Sequence, residues 1–257
     1  MSPTDGLLAR LHARHLCLDT SLGYPRAALV ATLTELAEES ELRALVEGRW
    51  RAALGLGHGP DEDAAATVAA VSDVTAAVVR PVLAASQVAG RVPLLVADRV
   101  ALGWGAGPAV RGVGWLPMEL AAGDRRAATR RAARDGLVAC LAPLVGPWCA
   151  GVGLAEEVGW LVVADTLEDV GMELGAVLGD TVTAAAELVL LLDGRPPLTQ
   201  RARLEAVAVD GHVRYERVRG RCCERHRLDV PCPACPAASA PARPMLAIEP
   251  GRGRARQ

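Results

Sequence analysis

The sequence predicts a helix-dominated α+β chain that ends in a small β-hairpin leading into a cysteine-cluster module. Three observations predict it. Apolar residues recur at helical spacing over most of the first 192 residues, in segments punctuated by Gly and Pro. The period changes to alternation in LEAVAVDGHVRYERV, Leu204 to Val218. Four of the seven cysteines then fall within RCCERHRLDVPCPACP, Arg221 to Pro236.

Taken in order, Thr4 to Leu16 reads as a helix and Pro25 to Glu38 as a second, with Pro25 in the first turn, where a missing N–H costs nothing. Ser40 is placed to cap ELRALVEGRWRAALGL, whose acids lie at its start. Leu54 to Ala64, LGLGHGPDEDA, reads as a loop. Ala65 to Gln87 is helical and nearly all apolar, and Pro81 predicts a kink or two abutting helices. Pro93 to Trp104 predicts a strand or hairpin, and Gly105 to Pro117 an irregular stretch with one short strand. A helix is expected from Asp124 to Leu144, stopped by Gly146-Pro147. Ala155 to Leu192 is helical again, broken near Gly171 to Gly179 and ended by DGRPP.

The hairpin turns at Asp210-Gly211. A three-residue loop, Asp210 to His212, is preferred over a two-residue one, because it pairs Val209 with Val213 and Val207 with Tyr215 on a single apolar face. The tail beyond Pro236 is rich in Pro, Ala and Arg and reads as disordered. The resulting divisions are an N-terminal helical segment (1–60), a mainly helical domain with a few strands (61–200), the hairpin and cluster module (201–236) and the tail (237–257).

Composition narrows the function. A net charge of −2 argues against general binding to nucleic acid or to a membrane surface. There is no Lys and no Phe, so all positive charge is Arg and core volume comes from Leu, Val, Ala and five Trp. The first residues carry Asp5 and His12 where a signal peptide needs a long apolar run. The most apolar run, Val182 to Leu192, is too short to span a bilayer and contains Glu187. The expectation is a cytoplasmic chain without a transmembrane segment. Clustered thiols there stay reduced and point to metal or redox chemistry before disulfides.

The cysteine pattern is Cys222-Cys223, eight residues, then Cys232-x-x-Cys235. A C-x-x-C turn converges two thiolates on one metal centre and serves zinc and iron–sulfur sites alike. The vicinal pair is the distinguishing part. In extended chain, neighbouring side chains point to opposite faces, so the pair chelates a single tetrahedral ion poorly. A two-iron cluster offers ligand positions on two metals and tolerates the spread better. Structural zinc, with His226 replacing one cysteine, and disulfides or non-ligating thiols remain the alternatives. Arg214, Arg217, Arg219, Arg221, Arg225 and Arg227 crowd the segment. Guanidinium groups favour thiolate and offset cluster charge, which raises the potential.

CC-x-x-x-R followed by C-x-x-C near the C-terminus resembles the FhuF-type ferric siderophore reductases, whose C-terminal domain binds a [2Fe–2S] cluster. The resemblance implies that Cys222, Cys223, Cys232 and Cys235 are the four ligands and that Arg227 is the arginine after the pair. It extends more weakly over VVRPVLAA (Val78 to Ala85) and the long helix before RPPL, about Ala65 to Pro236 in all. This chain departs from the family pattern in its eight-residue spacer, where ten is usual, in Pro233-Ala234 inside C-x-x-C, and in lacking a W-G-N-like stretch near Asp165 to Val170. The implied activity is one-electron reduction of Fe(III) in a ferric siderophore, which releases Fe(II), with the electron supplied by a separate reductase or ferredoxin.

Other groups carry weaker signals. Arg126, Arg130 and Arg134 lie at i, i+4, i+8 and read as a solvated helix face rather than an anion-docking patch. Gly151 to Glu157, GVGLAEE, lacks the third glycine and the preceding strand of a dinucleotide site. His12 and His15 read as surface residues, and His58 sits in a Gly-rich loop. Cys17, Cys140 and Cys149 read as buried small hydrophobes. Trp104, Trp115, Trp148 and Trp160 read as core or pocket walls.

Overall fold

A computed structural model describes residues 11, 19–22, 24–25, 27–116, 120–122, 126–193, 195–198, 203–209 and 212–218. The protein is a helix-dominated α+β chain. Its helices are α1 (Leu33–Glu38), α2 (Ser40–Leu54), α3 (Pro60–Ala89), α4 (Arg126–Gly151), α5 (Glu156–Leu178) and α6 (Thr181–Leu192). Its strands are β1 (Asp19–Leu22), β2 (Leu29–Thr32), β3 (Arg91–Pro93), β4 (Val100–Trp104), β5 (Val110–Trp115), β6 (Leu120–Ala122), β7 (Arg203–Val209) and β8 (His212–Val218).

The central element is α3. Pro60 occupies its first turn with Asp61, Glu62 and Asp63, which satisfy the helix dipole, and Gly90 closes it at φ 61°. Seventeen of its 30 residues are buried, against α2, α4, α5 and the sheet. It runs as one helix through Pro81, where the sequence predicts a kink or a break. The lost N–H bond costs about 3 kcal/mol, and burial of Val78, Val79, Val82 and Leu83 on either side offsets it. By length and composition α3 could cross a membrane, but its most apolar window is 78% buried inside the protein. Packing within the fold therefore accounts for its apolar character.

The four-stranded sheet has the order β1-β5-β4-β2, with β1 parallel to β5 and the other pairs antiparallel. Every residue of β4 is buried, and Trp104 and Trp115 are among the largest fully buried side chains. The helix expected over Pro25 to Glu38 is instead β2 followed by α1. LVAT carries no period of its own, and pairing of Leu29 to Thr32 with Ala101 to Trp104 decides its conformation. A capping box then starts α1: Glu35 N–H donates to Thr32 Oγ1 at 3.1 Å, and Thr32 N–H donates to Glu35 Oε2 at 2.7 Å. Gly103 lets the incoming chain lie over β4, since a Cβ there would sit 2.8 Å from both Pro25 Cγ and Ala27 Cβ.

Two further boundaries differ from expectation. Gly146-Pro147 does not stop α4, which continues to Gly151 with Pro143 and Pro147 inside it. Trp148 and Cys149 are buried on that extra turn and hold it in place. The long C-terminal helical region breaks once, at Gly179 (φ 72°), and α5 runs unbroken through Gly171. Gly171 and Gly175 form a seam with α6. A Cβ on Gly171 would meet the Leu188 side chain, and one on Gly175 would meet Ala184 and the backbone of Asp180 and Thr181.

Candidate functional site

The residues that carry the expected metal centre, Cys222, Cys223, Cys232 and Cys235, with Arg221, Arg225 and Arg227, lie outside the described residues. So do the helix expected over Thr4 to Leu16 apart from Leu11, together with His12, His15 and Cys17, and the tail. The element that delivers the chain to the cysteines is described. β7 and β8 pair antiparallel, Val209 with His212, Ala208 with Val213 and Ala206 with Tyr215. Two residues, Asp210 and Gly211, therefore separate the paired strands, which corrects the three-residue loop preferred from sequence. Asp-Gly suits a two-residue turn whose twist matches that of the strands. The observed register also pairs Ala206 and Ala208 with Tyr215 and Val213, so apolar positions oppose one another without the longer loop. A two-stranded ribbon is marginal alone, and β8 packs against α6.

On another side, α6 forms one wall of a cleft of about 580 Å³, shared with the C-terminal end of α3, α4 and the end of α5. That volume is in the range of small-molecule sites. Leu83, Gln87, Thr129, Arg130, Thr183 and Glu187 contribute to its lining. Arg130 Nη1 donates to both Glu187 carboxylate oxygens, at 2.9 and 2.8 Å. Gln87 Oε1 is buried there without a hydrogen-bond partner. The cleft is thus amphipathic, and its one arginine is already neutralised.

The solvated-face reading of the α4 arginines is corrected at two of the three positions. α4 packs on α6, so Arg130 and Arg134 lie mostly buried, with side chains 19% and 11% exposed. Arg134 Nη2 donates to the carbonyls of Arg195 (2.6 Å) and Pro196 (3.2 Å), clamping the connector that leaves α6. Its Nε stands 3.6 Å from Asp193 Oδ1, and neither atom has a hydrogen bond. Long stems that bury while the guanidinium finds fixed acceptors explain this inward use of Arg.

Two partly buried carboxylates, Asp73 on α3 and Glu47 on α2, have perturbed acidities. Asp73 accepts from Val110 N–H at 2.8 Å, which fixes the start of β5. Burial pushes its pKa up to about 6, against the opposing pull of that N–H, the Trp50 indole and Arg111. Burial likewise raises Glu47, opposed by Thr67, whose hydroxyl donates to it at 3.1 Å, by Trp148, and by Arg51 and Arg43. The indole N–H groups of Trp50 and Trp148 meet no acceptor at full hydrogen-bond geometry, so they act on these acids through their dipoles.

Cys140 and Cys149 are buried, as expected from sequence. Burial, reinforced by Asp98, pushes Cys140 up to about 12. Burial pushes Cys149 up to about 11, against a Gly159 backbone bond, with Glu156 adding to the rise. Thiols so displaced stay protonated at neutral pH and are poor ligands. Trp104, Trp115, Trp148 and Trp160 are buried, and Trp160 Nε1 donates to Glu156 Oε1 at 2.9 Å. GVGLAEE joins α4 to α5, helix to helix. Among the described residues, no three His, Cys, Asp or Glu side chains are grouped so as to hold a metal.

Sequence reasoning passed over Gln87, Thr129 and the Arg130–Glu187 pair as cleft residues. One signal was present: Glu187 is the single charge in an otherwise apolar stretch, and a half-buried carboxylate requires a partner. Comparison with known proteins supplies no family: no family model matches the chain, and no curated protein matches it.

Proposed function

We propose that this chain is a [2Fe–2S] oxidoreductase that reduces Fe(III) in ferric-siderophore complexes by one electron and so releases Fe(II). One observation carries the reading: the Cys222-Cys223, Cys232-x-x-Cys235 pattern with Arg227. The donor set fits the group. Four thiols lie within 14 residues of an arginine-rich segment, whereas the described cysteines elsewhere, Cys140 and Cys149, are buried and held as thiols. Cys222, Cys223, Cys232 and Cys235 would hold the cluster, which when bound supplies a single-electron store matched to the Fe(III)/Fe(II) couple. Arg221, Arg225 and Arg227 offset thiolate charge and favour the electron-rich state. Ferric iron is gripped by hard oxygen donors and ferrous iron far less, so a single electron suffices for release. The electron comes from a separate donor protein.

The test is anaerobic purification followed by assay of iron, acid-labile sulfide and zinc. A red-brown protein with about two irons and two sulfides per chain is expected. A colourless protein with stoichiometric zinc would sink the reading. Cys222→Ser or Cys235→Ser should abolish the colour, and Cys140→Ser should keep it. Pre-reduced protein should then release Fe(II) from a ferric siderophore. A coloured protein that releases none across a broad panel would be an electron carrier alone.

A further inference from the structure

α6 is apolar on two sides, and the described fold covers one of them. Ala184, Ala185, Leu188, Leu191 and Leu192 are buried, in a helix that packs on α5 and α4. Val182, Val189 and Leu190 are 59%, 46% and 52% exposed, and Ala186 is exposed between them. Positions 182, 186, 189 and 190 follow i, i+4, i+7, i+8 spacing, so they form one stripe along the helix. Nine large apolar side chains are exposed among the described residues, and four of them, Val177, Val182, Val189 and Leu190, fall within 14 residues here. Such clustering marks a surface that something covers.

We infer that the cysteine-bearing segment 219–236 of the same chain seats on this stripe. β8, the strand that leads directly into the segment, already packs against α6. The segment begins immediately after Val218, where β8 ends. α6 is about 18 Å long, while 18 residues of chain reach about 60 Å when extended, so the tether is ample. The function of the seat is shielding. An apolar wall limits water at a metal–thiolate centre and so steadies its ligands and potential. This inference builds on the proposed metal centre but is tested separately from it.

The test is limited trypsin digestion of the full-length, anaerobically purified protein, followed by mass mapping of cuts after Arg219, Arg221, Arg225 and Arg227. Val182→Glu/Leu190→Glu should speed these cuts by about tenfold, because cleavage tracks the opened population and the lost apolar contact is worth that factor. Far-UV circular dichroism should be unchanged, since both side chains are exposed. Leu190→Ser should give the same direction with a smaller factor, and Leu45→Glu, exposed on α2, should give none. Unchanged cleavage in both α6 variants overturns the inference. So does a sedimentation shift from dimer to monomer in the variant, which would assign the stripe to a second copy. The variants are compared at equal iron and sulfide content, since ligation would itself slow cuts between Cys223 and Cys232. Protein without iron and sulfide would defeat the proposed function and leave the docking result standing, and unchanged cleavage would do the reverse.

Discussion

α3 and α6 are both dominated by Ala, Val and Leu, yet they stand in different surroundings. α3 is enclosed by α2, α4, α5 and the sheet, and two of its polar residues tie it to neighbours: Ser72 meets Thr166 at 3.0 Å, and Asp73 anchors β5. α6 buries one side only and presents Val182, Val189 and Leu190 outward. Composition is therefore explained by packing in the first helix and left over in the second. An apolar residue inside α3 reports the core, while one on the outer side of α6 reports a contact beyond it.

Substitutions should separate the two helices by the size of their effects. Val79→Asp places an unpaired charge at a fully buried position of α3; a loss of about 4 kcal/mol or more is expected, seen as failure to give a cooperative thermal transition. Gly175→Val forces α6 off its seam with α5. Overpacking there should cost about 2–3 kcal/mol, read by urea denaturation, and should expose the hairpin to protease as well. Arg130→Ala leaves Glu187 alone on the cleft wall. A loss of about 1–2 kcal/mol is expected for this partly exposed pair, largely recovered in Arg130→Met/Glu187→Leu.

A smaller effect should follow pH. Asp73 has its folded pKa raised to about 6 from 3.8. Its protonated form favours folding, so this contribution is fully present below about 3.8 and is lost as pH rises through about 6. Asp73→Asn keeps an acceptor for Val110 N–H without the charge. It should flatten that part of the stability profile and raise Tm at pH 8, measured by thermal melts across pH 4–8. The smallest change is expected from Leu190→Glu, within about 0.5 kcal/mol. A large loss there would show that the outer side of α6 belongs to the core after all.

What was legible in the sequence follows from where the physics is local. Gly55, Gly90 and Gly179 each end a helix in the left-handed region, and the pattern of Gly and Pro announced most of those ends. The change of period announced the hairpin. Tertiary pairing was not legible. Leu29 to Thr32 becomes a strand because β4 is beside it, and Pro147 stays helical because Trp148 and Cys149 find a core. The cleft was illegible because its pair, Arg130 and Glu187, lies 57 residues apart in the chain. The cysteine pattern was the most specific signal in the sequence, and it is a matter of residue type and spacing rather than of the periodicity that orders the helices.

The clamp at the end of α6 has a mechanical side. Arg134 grips the connector through two carbonyls, and its Nε faces Asp193 Oδ1 at 3.6 Å with both atoms unsatisfied. Closing that gap by roughly 0.7 Å would complete a charged hydrogen bond. The chain leaving α6 is thus pinned to α4 within its first few residues, so the helical body sets the direction in which it departs.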